Sequence, residues 1–456
     1  MEQLFYRPSD AFTADFIPYW EDGVFHLFYL KDYHGEGRKA YGDGVAWYKI
    51  TTTDFVCFEE QGEMLPRGSR DEQDLFVFTG SIIKVEDVYH IFYTGHNMFF
   101  MEQGKPQQAV MHAVSRDLEQ WTKIPGHTFF ADTEKYEAHD FRDPFVFWNE
   151  DTNRYEMLLV SRKKDSGPTS GFTALYASND LITWTDEEDF WAPELFHTHE
   201  CPDLFKMGDW WYMLYSEYSD KHITRYIMSK SINGPWSMPE DDALDGRAYY
   251  AAKSACDTEK RYLFGWLPTK YNDSDGDNWM WGGNLVVHEI YPREDGTLAS
   301  RMPDSVKSAW TPIETHEEVN VENDDILIFS ETGDTCRFDA VLEYEKGTCS
   351  FGIEIGYDHR EKKGYKFEFF PEEKLVNWDS VSDEINAAGV MRPFTTKACQ
   401  PIRISLVMDG EMSVLYINDE YALSTRMYNM AGRDISFFVK GGSASLRSAE
   451  FFTLKK

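Results

Sequence analysis

The chain has 456 residues, 45 basic against 79 acidic, for a net charge of −34. That balance excludes recognition of nucleic acid or an anionic membrane surface, both of which need clustered Lys and Arg, and no apolar run is long enough to span a bilayer. Aromatic residues make up 16% of the chain, enough to fill many short buried strands and to offer flat faces to neutral ligands such as sugars.

The start, Met1-Glu2-Gln3-Leu4-Phe5-Tyr6-Arg7, lacks the basic and apolar regions of a secretory leader. The six cysteines (Cys57, Cys201, Cys256, Cys336, Cys349 and Cys399) are scattered without a C-x-x-C pair. They predict neither a disulfide framework nor a zinc site, and a cytoplasmic location is expected.

From the N-terminus onward, short aromatic runs recur: DGVFHLFYL from Asp22, EDVYHIFYTG from Glu86, NRYEMLLVS from Asn153, GDWWYMLYS from Gly208 and EKRYLFGW from Glu259. Their centres at Phe28, Phe92, Leu158, Met213 and Phe264 lie 64, 66, 55 and 51 residues apart. Runs this short, bounded by turn residues, predict buried strands. Each is followed by a second element. In the first four units this is a strand, a Ser/Thr-Asn/Asp turn and a Trp or Phe, as in MHAVSRDLEQW from Met111 and ALYASNDLITW from Ala174. Leu285 to Leu298 fits the fifth more loosely. Five matched units predict an all-β fold, a five-bladed β-propeller over residues 1–304. Residues 305–324 read as a connector. From 325 to 456, plainer alternating strands such as RFDAVLEYE and IRISLVMD predict a C-terminal β-sandwich without a carboxylate cluster.

A propeller gathers one strand end of every blade around a central funnel, so acids at equivalent blade positions converge. Asp15 lies 13 residues before Phe28, Asp143 lies 15 before Leu158, and Glu200 lies 13 before Met213. Glycoside cleavage needs one carboxylate to attack or activate water and one carboxyl group to protonate the leaving oxygen. A third can bind hydroxyls and support the positive charge of the transition state. Arg142, beside Asp143, can fix its direction.

The motifs around these acids resemble those of glycoside hydrolase family 32, the invertase, levanase and inulinase group. F-R-D-P at Phe141 to Pro144 is similar to its R-D-P motif, H-E-C-P-D at His199 to Asp203 to its E-C motif, and F-T-G-S at Phe78 to Ser81 to its F-S-G-S strand. The resemblance implies that Asp143 stabilises the transition state, that Glu200 is the acid/base, and that Phe78 and Ser81 contact substrate. The family's N-D-P-N-G motif is replaced by Ala14-Asp15-Phe16-Ile17-Pro18, and the nucleophile role carries over to Asp15. The implied activity is exo-acting, retaining hydrolysis of β-fructofuranosides without a cofactor, on a small carbohydrate. The competing readings are a propeller that binds a sugar without cutting it and one that acts on another furanoside such as an arabinoside.

Trp279 and Trp281 are candidates for a sugar platform. Cys201 is expected to pack beneath Glu200. His197 and His199 lack the partners of a metal site, and the acidic loop Asp273 to Asn278 lacks the Gly and Glu spacing of a calcium loop, so it reads as solvated.

Overall fold

The computed structural model describes residues 3–187, 189–322, 326–329, 333–358, 360–361, 363–380 and 389–455. Its first part is a five-bladed β-propeller of antiparallel blades. Blade 1 comprises Phe12–Glu21, Val24–Asp32, Trp47–Thr52 and Glu59–Leu65, and blade 2 comprises Phe76–Val85, Val88–His96, Gln108–Ser115 and Thr122–Lys123. Blade 3 comprises Tyr136–Asn149, Arg154–Lys163, Gly171–Ser178 and Thr185–Asp186. Blade 4 contributes His199–Met207, Trp210–Glu217 and Thr224–Ser229, and blade 5 Tyr250–Cys256, Arg261–Lys270, Trp279–Pro292 and Leu298–Arg301. The first strand of each blade packs against the first strands of its two neighbours, and the ring closes between blades 5 and 1.

The aromatic runs that mark the repeat are the second strands. They are buried on both faces between neighbouring blades, so they read as nearly continuous apolar stretches, as in Trp210–Glu217. The Ser/Thr-x-Asp signal also has a structural cause. Asp54, Asp117 and Asp180 each accept two backbone N–H groups through Oδ1, closing the same turn after the third strand. The following Phe55, Leu118 and Leu181 share φ values of 61°, 60° and 61°. One local Asx-type geometry thus recurs in three blades.

The N-terminal segment seals the ring. Tyr6 is fully buried, its carbonyl accepts the Leu285 amide at 2.9 Å, and Asn284 Nδ2 donates to the Phe5 carbonyl at 2.9 Å.

The second part is a β-sandwich. One sheet runs in the order Trp310–His316, Ser443–Leu454, Thr335–Tyr344, Ile402–Asp409, Met412–Ile417, Tyr421–Arg426, with Val319–Glu322 also paired to Ser443–Leu454. The facing sheet runs Ile326–Phe329, Ile435–Lys440, Ser350–Asp358, Lys363–Phe370, Leu375–Ser380, Val390–Pro393. Phe338, Phe351, Phe367, Leu406 and Phe437 fill the space between them. Part of the expected connector is therefore sandwich strand, while residues 323–325 lie outside the described ones. Trp310–His316 carries no apolar alternation because most of its side chains are exposed at the edge of its sheet.

The two parts share buried polar groups. Arg426 is fully buried and donates to the carbonyls of Pro268 (2.6 Å) and Leu267 (3.0 Å) and to Glu411 (2.7 Å). His288 of blade 5 lies 2.8 Å from Asp245 and 3.0 Å from the Tyr416 hydroxyl of the sandwich.

Candidate active site

Each blade's first strand breaks its ladder near the funnel. The register slips at Asp15 in blade 1, at Thr79 in blade 2, at Asp143 and Pro144 in blade 3, at Cys201 and Pro202 in blade 4, and at Ala251 and Ala252 in blade 5. Such bulges re-aim side chains that an unbroken strand would point elsewhere. Asp143, Cys201 and Ala251 sit at φ values of 57°, 54° and 51°, a left-handed conformation unusual for side-chain-bearing residues. The bulges are held from behind: Asp143 donates its amide to Thr94 Oγ1 at 2.7 Å, and Lys253 Nζ donates to the Pro202 carbonyl at 2.9 Å.

The register sharpens the equivalence read from spacing. Asp143 corresponds to Cys201 and Ala251, whereas Glu200 corresponds to Arg142 and Tyr250, one residue earlier. Side chains at equivalent positions point to a common place, and Arg142, Glu200 and Tyr250 meet there. Arg142 Nε and Nη2 donate to Glu200 Oε1 at 3.1 and 2.7 Å, and the Tyr250 hydroxyl donates to Glu200 Oε2. Arg142 also donates to Asp140 (2.7 Å) and Thr198 (2.9 Å), so it makes four hydrogen bonds.

Asp15 receives the Trp266 indole N–H on Oδ1 at 2.9 Å and the Thr79 hydroxyl on Oδ2. Asp143 Oδ2 accepts the Cys201 amide at 3.0 Å. The Cys201 thiol lies between the two acids, 3.9 Å from Asp15 Oδ2 and 3.8 Å from Asp143 Oδ2. Asp15, Asp143, Arg142 and Glu200 line one cavity of about 540 Å³, within the range of small-ligand sites.

One guanidinium faces three carboxyl groups, Glu200, Asp140 and Asp143, and the electrostatics follow. Burial pushes Asp15 above the usual carboxylate range, against its Thr79 and Trp266 donors, and Glu200 adds to the push. Burial drives Asp143 up to about 7, with Arg142 opposing and Glu200 and Asp15 reinforcing. Asp140 behaves differently: burial works against its charge, but Arg142, His197 and Arg162 hold it below the usual range. Burial also pushes Cys201 well up, which leaves it a neutral thiol.

Of the expected contact residues, Phe78, Trp279 and Trp281 line the same cavity, together with Trp266. Trp281 lies 6.1 Å from Phe78 and 6.2 Å from Trp266 between ring centres. Ser81 does not reach the cavity. It is buried at the seam of blades 2 and 3, where its oxygen accepts the Val146 amide at 2.9 Å. Beyond the bulge, that strand's side chain turns to the neighbouring blade. Cys201 is buried as expected, and His199 is a core ring packed on Trp191 and Tyr215.

Sequence reasoning missed Thr79, Asp140, Tyr250 and Trp266. For Tyr250 a signal existed, since F-R-D-P, H-E-C-P and Tyr249-Tyr250-Ala251-Ala252 align residue for residue. For Asp140 the one signal was its place two residues before Arg142.

The chain matches the family profile "Glycosyl hydrolases family 32 N-terminal domain" over residues 14–290. It is 26% identical to a levanbiose-producing levanase of Bacillus subtilis over 72% of this chain and 65% of that protein. It is 23% identical to a raffinose invertase of Escherichia coli over 95% of this chain and 90% of that protein. The fold is shared with an exo-inulinase of Aspergillus awamori (TM-score 0.79, 17% identity, 100% of this chain and 98% of that one). It is shared equally with fructan 1-exohydrolase IIa of Cichorium intybus (TM-score 0.80, 16% identity, the same coverage). With a propeller profile matched from Ala14 through the fifth blade and three acids gathered in its funnel, the chain belongs to glycosyl hydrolase family 32.

Proposed function

We propose that this glycosidase is a retaining, exo-acting β-fructofuranosidase in which Asp15 is the nucleophile, Glu200 the acid/base and Asp143 a hydroxyl-binding group. The observation that carries the reading is the convergence of these three acids with Arg142 in one cavity bounded by aromatic rings. The relatives' names, levanase and raffinose invertase, support fructosides as the substrate class.

In the first step an Asp15 oxygen bonds to the anomeric carbon as the bond to the leaving oxygen breaks, and Glu200 gives that oxygen its proton. In the second step Glu200 takes a proton from water, the water oxygen bonds to the anomeric carbon, and the ester to Asp15 breaks. Trp266 and Thr79 fix the direction of the Asp15 carboxylate before attack, which reduces reorganisation in the transition state. Arg142 occupies Oε1 of Glu200, so Oε2, facing Tyr250, is the oxygen that gives and receives the proton. Asp143 lies where it can accept sugar hydroxyls and offset positive charge on the ring. Exposed Cys256, Cys349 and Cys399 support a reducing, cytoplasmic setting.

The test is fructose release from sucrose, inulin-type and levan-type oligosaccharides, with arabinosides as controls, by wild type and Glu200→Gln. Wild type should release fructose, and the variant should lose at least about a hundredfold in kcat. No fructose from any fructoside, or equal turnover by both proteins, would overturn the reading.

A further inference from the structure

Trp279 and Trp281 of the cavity lining belong to blade 5, yet their segment is anchored by the sandwich. Trp279, Met280 and Trp281 follow a hairpin tip at 271–278. Between the pairs Lys270↔Trp279 and Pro268↔Gly283 their strand carries two more residues than its partner, so it bulges out of the ladder. Gly282 turns the chain there at φ 85°, and Gly283 lets the Leu267 carbonyl approach where any side chain would clash. The bulged segment therefore lacks a regular ladder to hold it, and its far end depends on the tip.

The acidic tip is not simply solvated. Asp275 is 5% exposed, and its Oδ2 accepts the hydroxyl of Tyr365 at 2.5 Å. Tyr365 is fully buried in the sandwich, stacked on Trp378 at 5.0 Å, and its oxygen accepts the Asn429 amide. On the propeller side, Lys270 Nζ donates to the Asp275 carbonyl at 2.6 Å and lies 4.6 Å from the centre of the Trp279 ring. The Lys270 amide donates to the hydroxyl of Tyr428, again from the sandwich, at 3.0 Å. A continuous chain of contacts thus runs from the sandwich core through Asp275 and Lys270 to Trp279.

We propose that Tyr365 is a positioning residue for the sugar site: by holding Asp275 it sets Trp279 and Trp281, and the sandwich thereby governs how tightly substrate is held. Its kinetic arm rests on the fructosidase reading above, and its exchange arm does not. Removing the Tyr365 hydroxyl takes one donor from a buried carboxylate, and the tip is expected to loosen as that carboxylate turns toward water.

The test uses the full chain. Tyr365→Phe should raise hydrogen–deuterium exchange in the segment 271–283 and raise KM for the best fructoside about tenfold, with kcat within about threefold of wild type. Tyr365→Phe combined with Asp275→Asn, which removes the buried charge, should bring KM back to within about threefold. Tyr416→Phe, which trims the same domain interface away from the tip, should lower stability without moving KM. Should Tyr365→Phe not fold, Tyr428→Phe supplies the same two readouts. Unchanged exchange in 271–283 would overturn the inference whatever the substrate. So would an unchanged KM, or a loss confined to kcat, in a protein whose wild type cleaves fructosides. A wild type that cleaves none of them, with exchange raised in the variant, would refute the fructosidase reading and leave the anchoring upheld.

Discussion

Asp143→Asn should make the protein more stable at neutral pH while disabling it. Asp143 is 3% exposed, and its carboxyl is displaced from 3.8 to about 7 by burial and by neighbouring acids. For an acid raised in this way, the native state keeps a proton that the unfolded chain has already lost. Between about pH 4 and pH 7 the native state therefore binds more protons, and stability falls with rising pH at up to about 1.4 kcal/mol per unit. From pH 5 to pH 8 the loss is about 3 kcal/mol. The amide variant does not titrate, and its oxygen can still accept the Cys201 amide. Its advantage over wild type should thus grow by about 3 kcal/mol across that interval. Urea unfolding at pH 5, 6, 7 and 8, followed by tryptophan fluorescence, reads the gap directly. A gap that stays constant, or narrows toward pH 8, would refute the claim that this acid is held at a cost in the folded state. The same variant should lose at least about a hundredfold in kcat, an exchange of stability for function seen at strained sites.

Two further substitutions separate site from scaffold. Trp266→Phe removes the indole donor to Asp15 Oδ1 while keeping an aromatic ring, and kcat should fall about 10- to 100-fold, matching one lost charge-assisted hydrogen bond; steady-state kinetics with sucrose would show it, and an unchanged kcat would remove Trp266 from the mechanism. Ser81→Ala should cost about 1 kcal/mol in urea unfolding, because the Val146 amide loses its acceptor, yet leave KM where it was; a KM that rose severalfold would return Ser81 to the substrate.

The repeat was legible because each blade's second strand is buried on both faces and the third strands of blades 1 to 3 end in the same Asx-type turn, so both leave local marks in composition. Asp15, Asp143 and Glu200 could be found because their distance to those runs is nearly constant. Their partners were harder to see. Thr79 comes from blade 2 and Trp266 from blade 5, and nothing in the residues around Asp15 announces either one. The bulge register was readable in the alignment of F-R-D-P with H-E-C-P, which pairs Arg142 with Glu200 rather than Asp143 with Glu200. Asp275 was misread for a physical reason: it sits among acids and a glycine, the composition of a solvated tip, and what buries it is a tyrosine 90 residues later in another domain.

Ring closure between the first and last blades also fixes when the site can exist. Asp15 and Trp266 are 251 positions apart yet share a hydrogen bond, and the Tyr6 carbonyl accepts the Leu285 amide. At about 5–20 residues per second, the ribosome releases Trp266 tens of seconds after Asp15. Until then the strand carrying Asp15 has no blade 5 beside it, and its bulged acid faces solvent. The Asp15 carboxylate is therefore among the first groups synthesised and among the last to be completed, and a chain interrupted before the fifth blade would carry it with no pocket around it.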